Sequence, residues 1–234
     1  SSFKVNYESL KNIKLVLRTI HNATEPKLSC TLLGRELSFP VLGAPITGTK
    51  FNMGGGVTEE EYCNDIIEGC LEAGSIGMIG DTGDPTCYEF GLQAIKKVGG
   101  LGVAIIKPRS NEEIIKRIRM AEEAGAIAVG VDLDGAGLVT MKLFGQPVGP
   151  KTVEDLKELV ASTKLPFIAK GIMSVDEALA CVEAGVNTIV VSNHGGRVLD
   201  YCQASCDVLE DIVKAVGDKI TVLADGSVRE GVDV

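Results

Sequence analysis

The stretch SVDEALACVEAGVNTIVVS, residues 174–192, is one complete unit of the repeating pattern that decides the fold. Ser174 and the acidic residues after it are typical of a helix start, and Gly185 supplies the left-handed residue that ends a helix. The apolar run that follows has the length of a buried parallel strand. Glu-Ala-Gly also precedes an apolar run at residues 72–74 and 123–125. This recurrence predicts an α/β fold with parallel strands.

Outward from this unit, the same pattern predicts seven strands and six helices in one domain, residues 1–234. The predicted strands are Val41–Pro45, Ile76–Gly80, Gly102–Ile106, Ala128–Leu133, Phe167–Lys170, Thr188–Ser192 and Thr221–Ala224. The predicted helices are Thr58–Ala73, Tyr88–Lys97, Asn111–Ala124, Thr152–Ser162, Ser174–Ala184 and Ser205–Val216. Residues 1–38 precede the barrel-like repeat and are predicted to form a helix near Tyr7–Ile20 and a β segment around Ser29–Leu37. Periodicity alone is compatible with a closed barrel and with an open doubly wound sheet.

Composition excludes several function classes. The net charge of −9 argues against a nucleic-acid partner, because phosphate binding needs clustered Lys and Arg. The sequence shows no apolar run of the ~20 residues that a membrane span needs, so no membrane partner is expected. Seven cysteines without CxxC pairs indicate reduced thiols and predict a cytoplasmic protein. With only two histidines, no metal centre is predicted.

Polar residues follow the predicted strands at their carboxyl ends. The fourth strand ends in Asp132 and Asp134, the fifth in Lys170, the sixth in residues 192–197 and the seventh in residues 225–227, with Arg229 just beyond. In a barrel these strand ends converge on one mouth, where active sites lie. A base, two arginines, a lysine and several glycines at one rim suit an anionic ligand that carries a phosphate and a carboxylate.

Two of these segments resemble the FMN-dependent 2-hydroxy acid oxidase/dehydrogenase family, which includes glycolate oxidase, lactate oxidase and flavocytochrome b2. They are SNHGGRVLDY, residues 192–201, and DGSVREGVD, residues 225–233. The similarity is clear over Pro166–Val234 and weaker through Thr31–Pro45. It implies a (β/α)8 TIM barrel with FMN at the carboxyl-terminal mouth. The family's last β/α unit would lie beyond residue 234, so we expect the chain to be part of a longer protein.

The resemblance also implies roles for individual residues. His194 matches the base that takes a proton from the substrate, either from the α-carbon or from the hydroxyl. Asp132 matches the aspartate that hydrogen-bonds this base. Arg197 matches an arginine that pairs with the substrate carboxylate, and Lys170 a lysine beside the flavin. The implied FMN-binding residues are Pro45, Ile46, Thr47, Lys170, Ser192, His194, Gly195, Arg197, Asp225, Gly226, Ser227 and Arg229.

The sequence departs from the family pattern on the substrate side. The family's second carboxylate-binding arginine is absent after the fourth strand, where Lys142 is a candidate substitute. The Gln-x-Tyr pair of the third strand is replaced by Gly102-x-Ala104, a threonine by Gly130 and a serine by Gly80. The cofactor prediction therefore rests on more matching positions than the substrate prediction.

The resemblance implies FMN-dependent oxidation of a small L-2-hydroxy acid, similar to lactate or glycolate, to the 2-oxo acid. The partner would be this small molecule, and family analogy predicts a homo-oligomer, a tetramer. Two alternatives stay open. One is an FMN-dependent isomerase of the type 2 isopentenyl diphosphate isomerase kind, and the other is a flavin-binding barrel without turnover.

Overall fold

The computed structural model describes residues 2–234, in which eight strands alternate with nine α-helices. The strands are β1 (Cys30–Leu32), β2 (Arg35–Leu37), β3 (Gly77–Ile79), β4 (Gly102–Ile106), β5 (Ala128–Asp132), β6 (Phe167–Ile172), β7 (Thr188–Val191) and β8 (Thr221–Ala224). The helices are α1 (Ser2–Asn12), α2 (Thr49–Asn52), α3 (Glu59–Glu72), α4 (Pro85–Lys97), α5 (Asn111–Glu123), α6 (Val139–Leu143), α7 (Val153–Ala161), α8 (Val175–Glu183) and α9 (Ser205–Val216). Short 3-10 turns occur at Leu133–Gly137, His194–Gly196 and Gly231–Asp233.

Strands β3 to β8 form one parallel sheet in which each strand pairs with the next along the chain. A doubly wound sheet would reverse its strand order at a switch point, whereas a barrel winds in one direction. The order found here therefore favours the barrel. The register places Asp132 of β5 opposite Lys170 of β6, at the carboxyl ends of both strands.

The sheet separates two apolar cores. On the outer side, the buried residues of the strands pack against the apolar faces of the helices; the predicted face Ile114, Ile118 and Ala121 of α5 is fully buried there. On the inner side, Val103 and Ile168 belong to a second cluster, which Leu37 of the β1–β2 hairpin joins. The hairpin therefore packs against the interior side chains of the curled sheet.

Helices α3, α7 and α8 begin directly after the side-chain caps Thr58, Thr152 and Ser174, close to their predicted starts. Thr58 and Glu61 form the expected capping box at the start of α3. Helix α4 begins at Pro85 and not at the predicted Tyr88, because the Asp84 side chain accepts the Thr86 N–H and caps it earlier. Within residues 2–234, no helix combines the length and the apolar character that crossing a membrane requires.

The N-terminal helix differs from its prediction. Helix α1 covers Ser2–Asn12 and not Tyr7–Ile20, and residues 13–29 contain no regular secondary structure. The segment after Asn12 contains the β-branched residues Ile13, Val16, Thr19 and Ile20, which lose side-chain freedom in a helix. The amino-terminal end of α1 is instead stabilised by long-range contacts to the loop after β7, which sequence periodicity does not report.

The first predicted strand, Val41–Pro45, is reduced to a single bridge between Gly43 and Gly77. Two ladder hydrogen bonds are formed, from Gly43 N to Ile76 O at 3.0 Å and from Met78 N to Gly43 O at 3.0 Å. Proline precedes and ends this segment, and proline has no N–H to donate to a ladder. The sheet of the described residues therefore has six strands and not seven.

Candidate active site

The carboxyl ends of β4 to β7 bring five ionisable side chains together. Lys107 follows β4, Asp132 ends β5, Asp134 lies two residues later, Lys170 lies in β6 and His194 follows β7. Each of these side chains is at most 14 % exposed. We call these five residues the buried charge cluster. Parallel strands present their carboxyl ends at one edge, which explains why residues so distant in sequence meet here.

Asp132 is bound by two lysines. The Nζ atom of Lys107 lies 2.5 Å from one of its carboxylate oxygens, and the Nζ atom of Lys170 lies 3.3 Å from the other. Burial alone would raise the pKa of Asp132, but the ammonium groups of Lys170 and Lys107 outweigh it and hold this pKa well below its usual range. Asp132 is therefore an ionised carboxylate whose charge is already compensated.

Lys170 is the most enclosed cation of the cluster. Its ammonium donates to Ser192 Oγ at 3.0 Å and lies 3.5 Å from Asp225 Oδ2, besides its contact with Asp132. Burial would lower the pKa of Lys170, but the carboxylates of Asp132 and Asp225 more than offset it and raise this pKa above its ordinary value. The side chain thus provides a permanent positive charge at the mouth of the sheet.

His194 is paired more closely with Asp134 than with the predicted partner. Its Nδ1 atom lies 2.9 Å from Asp134 Oδ1 and 3.5 Å from Asp132 Oδ1. Gly171 makes room for this arrangement, since a Cβ atom there would lie 2.6 Å from Asp134 Cγ. Burial raises the pKa of Asp134, and its Oδ2 atom is buried with no hydrogen-bond partner among residues 2–234. Asp132, the predicted hydrogen-bond partner of His194, makes only the longer 3.5 Å contact, and the hydrogen bond goes to Asp134.

These groups do not favour a metal ion. Donor atoms of Asp132, Asp134 and His194 lie within 4.8 Å of one another. Both oxygens of Asp132 are, however, already paired with an ammonium group, and the two positive charges oppose a cation. The arrangement instead suits a histidine that gains and loses a proton beside carboxylates, which stabilise its charged form.

The predicted carboxylate-binding residues lie farther out and are solvent-exposed. Arg197 donates from Nη1 to Asn52 Oδ1 at 3.0 Å. Lys142 lies on α6, and its ammonium group makes no hydrogen bond or ion pair with residues 2–234. It lines an open groove together with Gln146. We call Asn52, Lys142 and Arg197 the outer rim. Gly195, between His194 and Arg197, is exposed and has a φ of +66°.

The segment Pro45–Thr47 lies against the end of β3. A Cβ atom on Gly80 would lie 2.9 Å from the carbonyl oxygen of Pro45, so a serine at position 80 would require this backbone to move. Thr47 is buried, and its hydroxyl donates to Glu59 at 2.5 Å. The same carboxylate accepts the N–H groups of the two residues after Thr47. Ile46 is exposed between these fixed points.

The second predicted cofactor segment is the turn after β8. Gly226 and Ser227 have φ values of +119° and +67°, a turn of the kind whose N–H groups gather around an anion. The guanidinium of Arg229 is exposed and lies 5.4 Å from the ring centre of Tyr7. Together with the Lys170 ammonium, these donors fit an anionic cofactor that carries a phosphate, as FMN does.

Sequence reasoning missed three buried charged residues and assigned no role to Asp134. Lys107 follows β4 directly, and Asp81 and Arg109 lie just after β3 and β4. The guanidinium of Arg109 binds Asp81 through Nε at 3.0 Å and Nη2 at 3.2 Å, and donates from Nη1 to Gln146 at 2.5 Å. The signal was available, because each residue follows an apolar run in the same way as Lys170 does.

Comparisons with known proteins identify similar sequences and a similar fold. The sequence model of the family described as FMN-dependent dehydrogenase matches residues 1–142 and 139–234. The peroxisomal (S)-2-hydroxyacid oxidase GLO4 of Arabidopsis thaliana is 53% identical over 268 residues, which cover 98% of this chain and 70% of that protein. The 2-hydroxyacid oxidase 1 of Homo sapiens is 30% identical over 270 residues, with the same coverage. A crystal structure of mandelate oxidase matches with a TM-score of 0.82 at 26% identity, covering 100% of this chain and 72% of that one.

These matches confirm the predicted fold class and cofactor. The chain spans about 70% of the length of the curated relatives it matches. The relatives are named as oxidases of 2-hydroxy acids, which favours oxidation over the isomerase alternative. The chain therefore belongs to the FMN-dependent dehydrogenase family, flavoprotein oxidoreductases that act on the CH–OH group of 2-hydroxy acids.

Proposed function

We propose that this chain oxidises a small L-2-hydroxy acid, similar to lactate or glycolate, to the corresponding 2-oxo acid. The observation that carries this proposal is the pairing of His194 with Asp134, directly beside the compensated Asp132–Lys170 pair. It supplies a base and a fixed cation at one edge of the sheet, which are the two features that oxidation of a hydroxy acid by a flavin requires.

His194 acts as the base in this proposal. Its Nδ1 atom is engaged by Asp134, so Nε2 is the nitrogen left to take a proton from the substrate. The imidazolium that results is stabilised by the carboxylates of Asp134 and Asp132, 2.9 and 3.5 Å from Nδ1. The same contacts fix the orientation of the ring, because hydrogen bonding at one nitrogen sets the availability of the other.

Lys170 and the turn residues hold the cofactor. When bound, FMN supplies the acceptor for the two electrons that leave the substrate. Lys170 would place a positive charge beside the bound ring, where it would stabilise added negative charge, and its hydrogen bond to Ser192 keeps the ammonium in place. The segment Pro45–Thr47 supplies backbone contacts to the ring. The turn from Asp225 to Ser227, with Arg229, binds the ribityl chain and phosphate.

The substrate carboxylate is bound at the outer rim. Arg197 provides the bidentate guanidinium, and Lys142 contributes a point charge. Ala104 stands where the family has a tyrosine, and it is fully buried. The chain thus provides fewer contacts to the substrate than the family pattern does. We therefore expect a high KM for lactate and glycolate, or a preferred 2-hydroxy acid that supplies contacts of its own.

The test is reduction of the bound flavin under anaerobic conditions. L-Lactate or glycolate should bleach the flavin absorbance of the wild-type holoenzyme. The His194→Ala variant should reduce its flavin about 10²–10⁴-fold more slowly, the usual contribution of a general base, while FMN affinity changes little. A variant that reduces its flavin at the wild-type rate would contradict the assigned base. A wild-type flavin that responds to no 2-hydroxy acid would instead support the flavin-binding barrel without turnover.

The assembly and compartment proposals rest on analogy and composition. We propose that the protein is a homotetramer with a single domain over residues 1–234 and a cytoplasmic location. GLO4, one of the relatives, is named as a peroxisomal protein.

A further inference from the structure

The loop after β7 has a backbone that needs external support. Three successive residues, His194, Gly195 and Gly196, have φ values of +57°, +66° and +74°. Left-handed geometry is unfavourable for a side chain such as that of histidine, and it persists only where the surroundings impose it. Because this loop carries both His194 and Arg197, whatever imposes its conformation also places the two functional groups.

The support comes from a buried pair of amides. Asn6 of α1 donates from Nδ2 to Asn193 Oδ1 at 2.8 Å, and Asn193 donates from Nδ2 to Asn6 Oδ1 at 3.0 Å. Asn193 Oδ1 also accepts the Gly196 N–H at 3.2 Å, and its Nδ2 also donates to the Gln203 carbonyl at 3.0 Å. The Asn193 amide therefore uses both donors and both acceptor positions, which leaves it one orientation.

Asn6 also replaces a missing helix cap. Helix α9 begins after Ala204, whose side chain offers no oxygen to the first N–H groups. Asn6 Oδ1 accepts the Ser205 N–H at 3.1 Å and so satisfies one of these donors from a residue 199 positions away. Helix α1 also packs closely against the loop after β7, since a Cβ atom on Gly196 would lie 2.2 Å from the Ser2 carbonyl oxygen.

We infer that Asn6 is a positioning residue for the reaction, one that fixes the loop from Asn193 to Ser205 from outside the sheet. Its amide connects three elements: α1, the left-handed turn that begins at His194, and the start of α9. Without the Asn6 amide, the left-handed turn would lose its hydrogen bonds to α1, and the first N–H group of α9 would lose its acceptor. His194 and Arg197 would then sample other positions. The inference rests on the proposed roles of those two residues.

The first experiment compares Asn6→Ala with Ser9→Ala in the FMN-loaded protein. Ser9 is a matched control because its hydroxyl also connects α1 to α9, through Asp207 Oδ2 at 3.2 Å, but does not contact the loop. For Asn6→Ala we expect flavin reduction by substrate to be at least about tenfold slower per bound FMN, since small misplacements of reacting groups are costly. We also expect faster amide hydrogen exchange over residues 193–206. Ser9→Ala should match the wild type in both measurements.

A second variant keeps the inference testable if Asn6→Ala folds poorly. In Asn6→Asp, an ionised carboxylate would face Asn193 Oδ1 and be repelled by it. The Asn193 amide cannot rotate away without losing its hydrogen bonds to the Gly196 N–H and the Gln203 carbonyl. A protonated carboxyl would restore the lost donor, and burial favours the protonated form. The ratio of variant to wild-type reduction rate should therefore rise as the pH falls.

The outcomes separate this inference from the proposed function. Equal kinetics and equal exchange for Asn6→Ala and Ser9→Ala would overturn it, as would a pH-independent rate ratio for Asn6→Asp. If His194→Ala reduces its flavin normally, the proposed function fails instead. The exchange measurement on residues 193–206 would still decide whether Asn6 fixes the loop.

Discussion

The buried charge cluster and the outer rim lie at the same edge of one sheet but differ in how they are built. In the cluster, strand register places Asp132 opposite Lys170, and every side chain is shielded from water. At the outer rim, Arg197 and Lys142 are exposed, and the Arg197 side chain makes one hydrogen bond, to Asn52. Buried charges interact strongly and are fixed by the fold, whereas exposed ones are screened and mobile. The proposed cofactor side is therefore preorganised, and the proposed substrate side depends on the ligand.

The largest effect should come from breaking the cluster. Lys170→Met removes one of the two cations on Asp132 and leaves buried negative charge undercompensated. We expect the free energy of unfolding to fall by about 3–5 kcal/mol, as for other broken buried pairs, and FMN affinity to fall with it. Urea unfolding of the apoprotein and titration with FMN measure the two effects. Lys157→Met is the matched control, because Lys157 and its partner Glu183, 2.8 Å apart, are both solvent-exposed, and removing an exposed ion pair should change stability little.

The pH dependence of the free energy of unfolding provides a second test of the Asp132–Lys170 pair. In the wild type, the pKa of Asp132 is lowered in the folded state, so its stabilisation is complete above the ordinary value of 3.8 and is lost as the pH falls through the folded value. In Lys170→Met, the Asp132 carboxylate has one positive partner fewer and takes up a proton at higher pH. Protonation removes the unfavourable free energy of burying its negative charge. The stability difference between the two proteins should therefore narrow as the pH falls. A difference that stays constant would contradict the assignment of the pair.

At the outer rim, Arg197→Lys should have a smaller effect that is confined to catalysis. A charge-assisted hydrogen bond contributes about 1.5–3 kcal/mol, so loss of the bidentate contact should lower kcat/KM by about 10- to 150-fold. Lys142→Ala tests the neighbouring exposed charge and should lower kcat/KM by about fivefold or less. Steady-state kinetics on both variants check this order. If Arg197→Lys leaves kcat/KM unchanged, the substrate carboxylate is bound elsewhere.

Within the buried charge cluster, the smallest effect should come from Asp134→Asn. Asparagine can keep the hydrogen bond to His194 Nδ1 but removes a negative charge, so we expect flavin reduction to slow by about fivefold. Burial raises the pKa of Asp134, and below that pKa the wild-type side chain is itself neutral. The rate difference should therefore disappear as the pH falls. Stopped-flow flavin reduction, followed from pH 8 downwards, measures this difference, and a difference that grows as the pH falls would contradict this role.

The repeating helix and strand units could be predicted because their signals are local. The capping box at Thr58 and the buried face that includes Ile114 follow from residues three or four positions apart. The predicted bounds of the N-terminal helix and of the first strand were wrong, because constraints other than local periodicity determine these elements. Helix α1 is fixed by contacts such as that of Asn6 with Asn193, and the segment around Gly43 is limited by its flanking prolines. Neither constraint appears in the periodicity of the sequence.

The sequence by itself determined the order of the elements, the residues at the strand ends and the family resemblance, since each depends on short motifs. Only the tertiary structure decided which of these residues pair. In the structure, Asp134 lies closer than Asp132 to His194, and Asp132 forms ion pairs with Lys107 and Lys170. Asn6 contacts Asn193, 187 residues away in the sequence. These pairings depend on strand register and on the space left by Gly171, because distance and burial set the strength of a charge or a hydrogen bond, and neither is encoded at any single position.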